Sequence, residues 1–139
     1  MFDVIPLNYQ TWLICGGRDF TDAAMMRNAM GDLIRMRGVP DLVVHGGARG
    51  ADALAGDWAR SMGVRVHAEP AKWGKHGKAA GPLRNQKMLD LFRIDFVVAF
   101  PGGDGTADMV ARSRKAGIDV AEVTPVRSTA RREQADGAS

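Results

Sequence analysis

Three glycine-rich stretches hold the residue types best suited to binding an anion. They read CGGRDFTD (15–22), HGGARGAD (45–52) and FPGGDGTAD (100–108), and each includes or directly follows the end of a short apolar run. Glycine lets backbone N–H groups approach a ligand closely, and helices that begin after the second and third stretches would add unpaired N–H donors that favour phosphate. One such turn more often only joins a strand to a helix, but three that converge predict a phosphate-binding site.

A fourth stretch, residues 69–85 (EPAKWGKHGKAAGPLRN), adds positive charge and one aromatic side chain. It has no convincing strand pattern, and a long irregular loop in a compact domain is usually functional or disordered. Its lysines and Trp73 could clamp a phosphate and stack on a base. Alternatively, they could form a solvated surface loop with Trp73 as its anchor. The position of Arg84, beside Asn85 at a helix start, favours a functional role for this arginine.

The elements that must position these residues alternate along the chain. Five apolar runs (11–16, 41–46, 64–68, 95–100 and 118–123) are rich in β-branched residues, and amphipathic helical patterns lie between most of them. This alternation predicts a single Rossmann-like α/β three-layer sandwich, with a mostly parallel sheet of about five strands and helices on both faces. If the strand order is 3-2-1-4-5, the three glycine-rich stretches meet where the order reverses.

The predicted domain boundaries and helix ends follow from local patterns. Residues 1–123 are predicted to form the domain, and residues 124–139, which lack apolar periodicity, are predicted to form a flexible tail that is dispensable for folding. Thr21 and Thr106 are the predicted caps of the first and last helices, and Pro82 is the predicted first residue of the helix before the fourth strand.

Composition and spacing disfavour several functions. The single cysteine, Cys15, lies in an apolar run and is therefore predicted to be a buried core residue. No Cys/His cluster has zinc-ligand spacing, so no metal is expected, and no cofactor is expected either. The net charge of +3 is too small for a general nucleic-acid surface, so nucleic acid is disfavoured as a partner. The glycine spacings match neither the dinucleotide fingerprint nor the P-loop.

Membrane association is also not expected. No apolar run is long enough to span a bilayer, and the first residues lack the pattern of a signal peptide. We therefore expect a cytoplasmic protein without a membrane partner. A homodimer or larger homo-oligomer is left open.

Four segments, taken together and in this order, resemble one known group of proteins. GGRDFTD, HGGARGADALAGDWA, PAKWGKHGKAAGPLRNQKML and AFPGGDGTADMVARSRKAG are similar to the SLOG superfamily, in particular its branch related to YspA and YpsA, over about residues 13–123. The superfamily is similar in fold to the LOG phosphoribohydrolases and to the DNA-processing protein A family. The resemblance implies a Rossmann-like pocket for nucleotides or nucleotide-derived ligands, and ligand binding or sensing more than a reaction.

The resemblance to the LOG enzymes is incomplete at one position. Those enzymes carry a P-G-G-x-G-T-x-x-E motif and a catalytic arginine on a preceding helix. Residues 101–106 match the first part of the motif and Arg84 stands at the arginine position, but Met109 replaces the glutamate. Asp108, one residue earlier, would be rotated by about 100° on a helix. Arg84 and Asp108 are therefore the expected catalytic residues only if the alternative function holds, which is cleavage of an N-glycosidic bond in a nucleoside monophosphate or a related nucleotide.

The leading hypothesis is binding or sensing of a nucleotide or a nucleotide-derived small molecule. Backbone amides of 46–50 and 102–106 would hold phosphate, and nearby charged side chains would neutralise it or accept hydrogen bonds from the sugar or base. The predicted ligand-binding residues are Gly16, Gly17, Arg18, Asp19, Gly46, Gly47, Ala48, Arg49, Gly50, Asp52, Trp73, Lys78, Arg84, Asn85, Pro101, Gly102, Gly103, Asp104, Gly105, Thr106 and Asp108.

Overall fold

A parallel five-stranded sheet lies at the centre of the structure, a computed structural model that describes residues 8–125. The spatial order of its strands is β3-β2-β1-β4-β5, and every neighbouring pair is parallel. The predicted fold class and strand order are therefore confirmed. The strands are β1 (Thr11–Cys15), β2 (Leu42–His45), β3 (Arg65–Ala68), β4 (Phe96–Ala99) and β5 (Asp119–Glu122).

Helices cover both faces of the sheet. Within residues 8–125, no helix has the length and apolar character that a membrane crossing requires. The predicted tail, apart from residues 124 and 125, lies outside the described residues, and so do residues 1–7. The helices are α1 (Ala23–Arg37), α2 (Ala51–Ser61), α3 (Trp73–His76), α4 (Ala80–Leu91) and α5 (Asp104–Lys115), with a 3₁₀ turn at Gly77–Ala79 between α3 and α4.

The central strand β1 supplies side chains to two separate cores. Successive side chains of a strand point to opposite faces of the sheet. Trp12 and Ile14 pack with α1 and α2 on one face, whereas Leu13 and Cys15 pack with α4 and α5 on the other. Because both faces are covered, all five residues of β1 are buried, which explains why four consecutive apolar residues follow Thr11 in the sequence.

Three of the predicted helix ends are wrong. The side chain of Asp22, not Thr21, caps α1 by accepting a hydrogen bond from the Met25 amide at 2.9 Å. Helix α5 begins at Asp104, so Thr106 lies inside its first turn. Helix α4 begins at Ala80, so Pro82 is its third residue. Proline is tolerated there because the first-turn N–H groups of a helix have no partner within that helix.

The prediction of a long irregular loop over residues 69–85 is also wrong. Only residues 69–72 are irregular, and the remainder forms α3, the 3₁₀ turn and the first part of α4. The apolar periodicity that would have revealed helix is absent because α3 has no buried residue.

The three glycine-rich turns are joined to one another by the backbone of Gly17. Its N–H donates to the carbonyl of Pro101 at 2.8 Å, and its carbonyl accepts from the N–H of Ala51 at 3.0 Å. Gly50, at φ 78°, lies so close to the first turn that a Cβ would overlap the carbonyl oxygens of Gly17 and Arg18. We call residues 16–19, 46–50 and 101–106 the first, second and third glycine turns.

Replacing Gly50 with alanine should cost several times more stability than the same change at Gly63. Both glycines have positive φ, 78° and 72°, but an added Cβ at Gly63 meets no atom within 4 Å. We expect a loss of about 1–2 kcal/mol for Gly63→Ala from the left-handed conformation alone. For Gly50→Ala we expect about 3 kcal/mol or more, because backbone atoms must also move. Urea unfolding measures both, and equal losses would contradict the close packing of the turns.

Candidate functional site

A crevice of about 480 Å³ opens at the carboxyl edge of the sheet, beside the ends of β1 and β4. It lies where the strand order reverses, which is where ligands bind in open α/β sheets. Most of the predicted ligand-binding residues line it, and they come from all three glycine turns, from α3 to α4 and from α5. These residues are Gly16, Gly17, Arg18, Gly46, Ala48, Asp52, Trp73, Lys78, Arg84, Asn85, Gly103, Asp104, Gly105, Thr106 and Asp108.

The other predicted residues lie beside the crevice and do not line it. Gly50, Pro101 and Gly102 hold the turns against one another. Asp19 forms an exposed ion pair with Arg49 at 3.3 Å. Gly47 and Arg49 line a second, adjoining cavity of about 350 Å³.

We call this second cavity the arginine chamber. It is bordered by the second glycine turn, by residues 70–71 and by Trp73, and Arg18, Arg49 and Arg84 all contribute to its wall. The guanidinium carbon of Arg18 lies 4.9 Å from the centre of the Trp73 ring, and both residues border the two cavities.

The second glycine turn uses two of its own amides within the chain. The N–H of Gly47 donates to Nδ1 of the buried His45 at 3.0 Å. The N–H of Ala48 donates to the Asp52 carboxylate at 3.1 Å. The carboxylate of Asp52 therefore already accepts from an amide of this turn that an anionic ligand would otherwise use.

The third glycine turn and the start of α5 have the opposite character. Gly103 is the N-cap of α5 and contributes no side-chain hydrogen bond. Within residues 8–125, the N–H groups of Asp104, Gly105 and Thr106 have no protein acceptor. Unpaired amides at a helix N-terminus, together with the helix dipole, favour an anion.

Arg84 lies at the meeting point of the two cavities. Its half-buried guanidinium donates from Nε to the Asn85 side chain at 3.0 Å and from Nη1 to the carbonyl of Gly46. Burial lowers the pKa of Arg84, and the charge of Asp52 opposes that shift. A Cβ at Gly46 would overlap the guanidinium and crowd the Asp52 carboxylate, so a larger residue there would displace both side chains.

Two carboxyl groups of the crevice have pKa values shifted in opposite directions. Burial raises the pKa of Asp52, against the Ala48 amide and the charge of Arg84. Burial acts in the same direction on Asp108, but hydrogen bonds from Arg112 and Asn85, at 2.8 and 3.0 Å, outweigh it and lower the pKa of Asp108. Asp108 is therefore held as a carboxylate by two fixed donors.

The floor of the crevice was missed by sequence reasoning. It includes Cys15, Met88 and Met109, and Gly81 and Pro82 at the start of α4 also line the wall. The apolar residues have the type and spacing of ordinary core residues, and all three are in fact buried. Their positions could have been a signal, because Met88 lies one helical turn after Arg84 and Met109 directly follows Asp108.

The chain is similar to known proteins in sequence and in fold. Residues 13–76 match the sequence model of a family described as YAcAr: YspA, cpYpsA-related SLOG family. The Gene 61 protein of Mycobacterium phage D29 is 41% identical over 115 residues, which cover 78% of this chain and 91% of that protein. The structure of the Moco Carrier Protein from Chlamydomonas reinhardtii is similar with a TM-score of 0.53 and 18% identity, over 83% of this chain and 76% of that chain. At this identity the structural neighbour supports the fold alone.

The Cys15 thiol should be unreactive in the folded protein. Burial, followed by the charge of Asp52, raises its pKa to about 12. At pH 8 a thiol of that pKa is ionised in only about one molecule in ten thousand, and the thiolate is the reactive form. Reaction with a disulfide reagent, followed by absorbance, should be at least about a hundredfold slower in native protein than in urea. Rapid labelling of the native protein would contradict the buried position.

Proposed function

This chain belongs to the YspA- and cpYpsA-related SLOG family, and from that premise we propose that it binds a nucleotide or nucleotide-derived ligand. The phosphate of that ligand would lie at the start of α5, in the crevice at the carboxyl edge of the sheet. Binding or sensing of such a ligand, without its chemical conversion, is the function that the geometry supports best.

The observation that carries the proposal is the presence of glycine at positions where protein packing does not require it. At Gly103 and Gly105, an added Cβ meets no protein atom within 4 Å, and neither residue has a positive φ. Glycine inside a helix costs about 0.5–1 kcal/mol relative to alanine, and Gly105 lies inside α5. Close approach of a ligand to the unpaired amides of α5 accounts for both glycines.

The mixed charge of the crevice supports a phosphate site at one position, because the crevice as a whole is not uniformly basic. Arg18, Lys78 and Arg84 line it together with three aspartates, Asp52, Asp104 and Asp108. The N–H groups at the start of α5 supply positive potential that no side chain in the described residues neutralises through a cap. Asn85 donates to the carbonyl of Gly105 at 3.2 Å, which holds the start of α4, and with it Arg84, against this turn.

Other crevice residues suit the sugar and base of a nucleotide. Asp52 uses one carboxylate oxygen for the Ala48 amide, and its other oxygen could accept from a ribose hydroxyl. Trp73, 46% exposed, offers an aromatic face at the crevice. Aromatic side chains stack on bases of any sequence because every base has a π-face.

The alternative function, cleavage of an N-glycosidic bond, has weaker support. Met109, at the position of the LOG glutamate, is buried and has no ionisable group. Asp108 is fixed by Arg112 and Asn85, and chemistry through an oxocarbenium-like state needs a carboxylate that faces the sugar.

The predicted cellular setting stays a prediction. We propose a cytoplasmic protein that binds a small molecule, and a homodimer or larger homo-oligomer stays a prediction. A size-exclusion measurement at several concentrations would decide the oligomeric state.

Titration calorimetry with nucleoside monophosphates, diphosphates and cyclic monophosphates tests the proposed function. We expect at least one of them to bind at a single saturable site. Assay of the same mixtures for free base separates binding from cleavage, because the alternative function requires base release that depends on Asp52 or Asp108. If no nucleotide binds and none is carried through purification, the proposal fails.

Replacing Gly105 with alanine should stabilise the fold and weaken the ligand complex. We expect a gain of about 0.5–1 kcal/mol from helix propensity and a loss of affinity because the methyl group lies at the unpaired amides of α5. Gly31→Ala, in α1, is the matched control, since its Cβ meets only the Arg35 side chain at 4.0 Å. It should give the same gain in stability with unchanged binding. If both variants bind equally well, Gly105 does not contact the ligand.

Replacing Arg84 with alanine should weaken nucleotide binding about ten- to hundredfold, which is the value of one charge-assisted hydrogen bond. Arg84→Lys should restore only part of this affinity, because lysine cannot hold two phosphate oxygens in a planar fork. Arg84 also donates to Gly46 and Asn85, so thermal unfolding of the same samples must confirm that each variant is folded. A folded Arg84→Ala protein with the affinity of the wild type would place the phosphate elsewhere.

A further inference from the structure

The crevice and the arginine chamber are two parts of one larger site. They share Arg18, Gly46, Ala48, Trp73 and Arg84, so a ligand in the crevice has access to the chamber. Resting on the proposed function, we propose that the ligand carries two phosphate groups, and that the second one binds in the arginine chamber.

The charge of the chamber carries this proposal. Of the described residues that line it, three are arginines and none is acidic. The crevice differs, because it contains as many aspartates as cationic side chains. The positive charges of three arginines that line one space repel one another, and an anion in that space would relieve the repulsion.

Each arginine has donors left for a ligand. Arg18 makes no side-chain hydrogen bond within residues 8–125, and its guanidinium lies over the Trp73 ring. Arg84 uses Nε and Nη1, and its Nη2 has no acceptor in the same part of the chain. Guanidinium groups bind phosphate oxygens in pairs, which makes arginine the side chain best suited to this anion.

Arg49 is held only weakly by its own partner. Its hydrogen bond to Asp19 is 3.3 Å long, and the two side chains are 73% and 96% exposed. Exposed pairs of this kind contribute little to stability. A phosphate with two negative charges can therefore replace Asp19 as the partner of Arg49 with little loss of free energy from the broken ion pair.

The second and third glycine turns contribute different groups to the proposed site. The second turn contributes the side chain of Arg49 to the arginine chamber, whereas the amides of Gly47 and Ala48 already donate within the chain. The third turn offers the crevice unpaired backbone amides. Arg84 lies between them and contacts both spaces, so the two phosphates would flank one guanidinium. A nucleoside with phosphates on two different sugar hydroxyls has this arrangement.

Calorimetry with matched pairs of nucleotides tests the inference. The probes are 5′-AMP and 5′-GMP, each compared with its 3′,5′-bisphosphate at low ionic strength, where exposed charges are least screened. We expect a bisphosphate to bind about tenfold more tightly than its monophosphate. Arg49→Ala should remove most of this advantage and change monophosphate affinity far less than bisphosphate affinity.

Arg60→Ala is the matched control for Arg49→Ala. Arg60 also forms an exposed ion pair with an aspartate, Asp57, at 3.0 Å, but it does not line either cavity. It should change neither affinity. If monophosphates bind and the bisphosphates gain nothing, or if Arg49→Ala weakens both forms equally, the second phosphate site is wrong while the proposed function stands. If no probe of either kind binds, both fail together.

Discussion

The hydrogen bonds made by the backbone N–H and carbonyl of Gly17 are the contacts on which the site depends. They hold the third glycine turn and the start of α2 to the first turn. These contacts require bare backbone, because a Cβ at Gly16 would overlap Ala51, and one at Gly17 would lie 2.9 Å from the carbonyl oxygen of Pro101. The glycines of the first turn therefore bring three strand ends together, and the crevice is the space that remains between those ends and α4.

Glycines of the three glycine turns have different causes, which the sequence does not distinguish. Gly16, Gly17 and Gly50 are explained by close packing against backbone and Cβ atoms inside the protein. Gly103 and Gly105 are not, and they stand where α5 presents unpaired amides.

Much of this architecture could be predicted from the sequence, for identifiable reasons. Continuous burial of β1 gives a run without charged residues. The alternation of strands and helices fixes the parallel sheet, and hence the edge at which Asp52, Arg84 and Asp108 meet. Helix α3 could not be predicted, because it buries no residue and so has no apolar period. Nor could the acceptors of the second turn, since hydrogen bonds from Gly47 and Ala48 to His45 and Asp52 depend on side-chain placement that spacing does not encode.

Nuclear magnetic resonance of ¹⁵N-labelled protein during titration with a nucleotide tests the central claim most directly, because each backbone amide reports on its own surroundings. The account predicts that the amide signals of Asp104, Gly105 and Thr106 shift most and saturate together, since their N–H groups have no protein acceptor in the described part of the chain. Saturable shifts confined to α3 and the 3₁₀ turn that follows it, which carry Lys75 and Lys78, with the start of α5 unchanged, would contradict it.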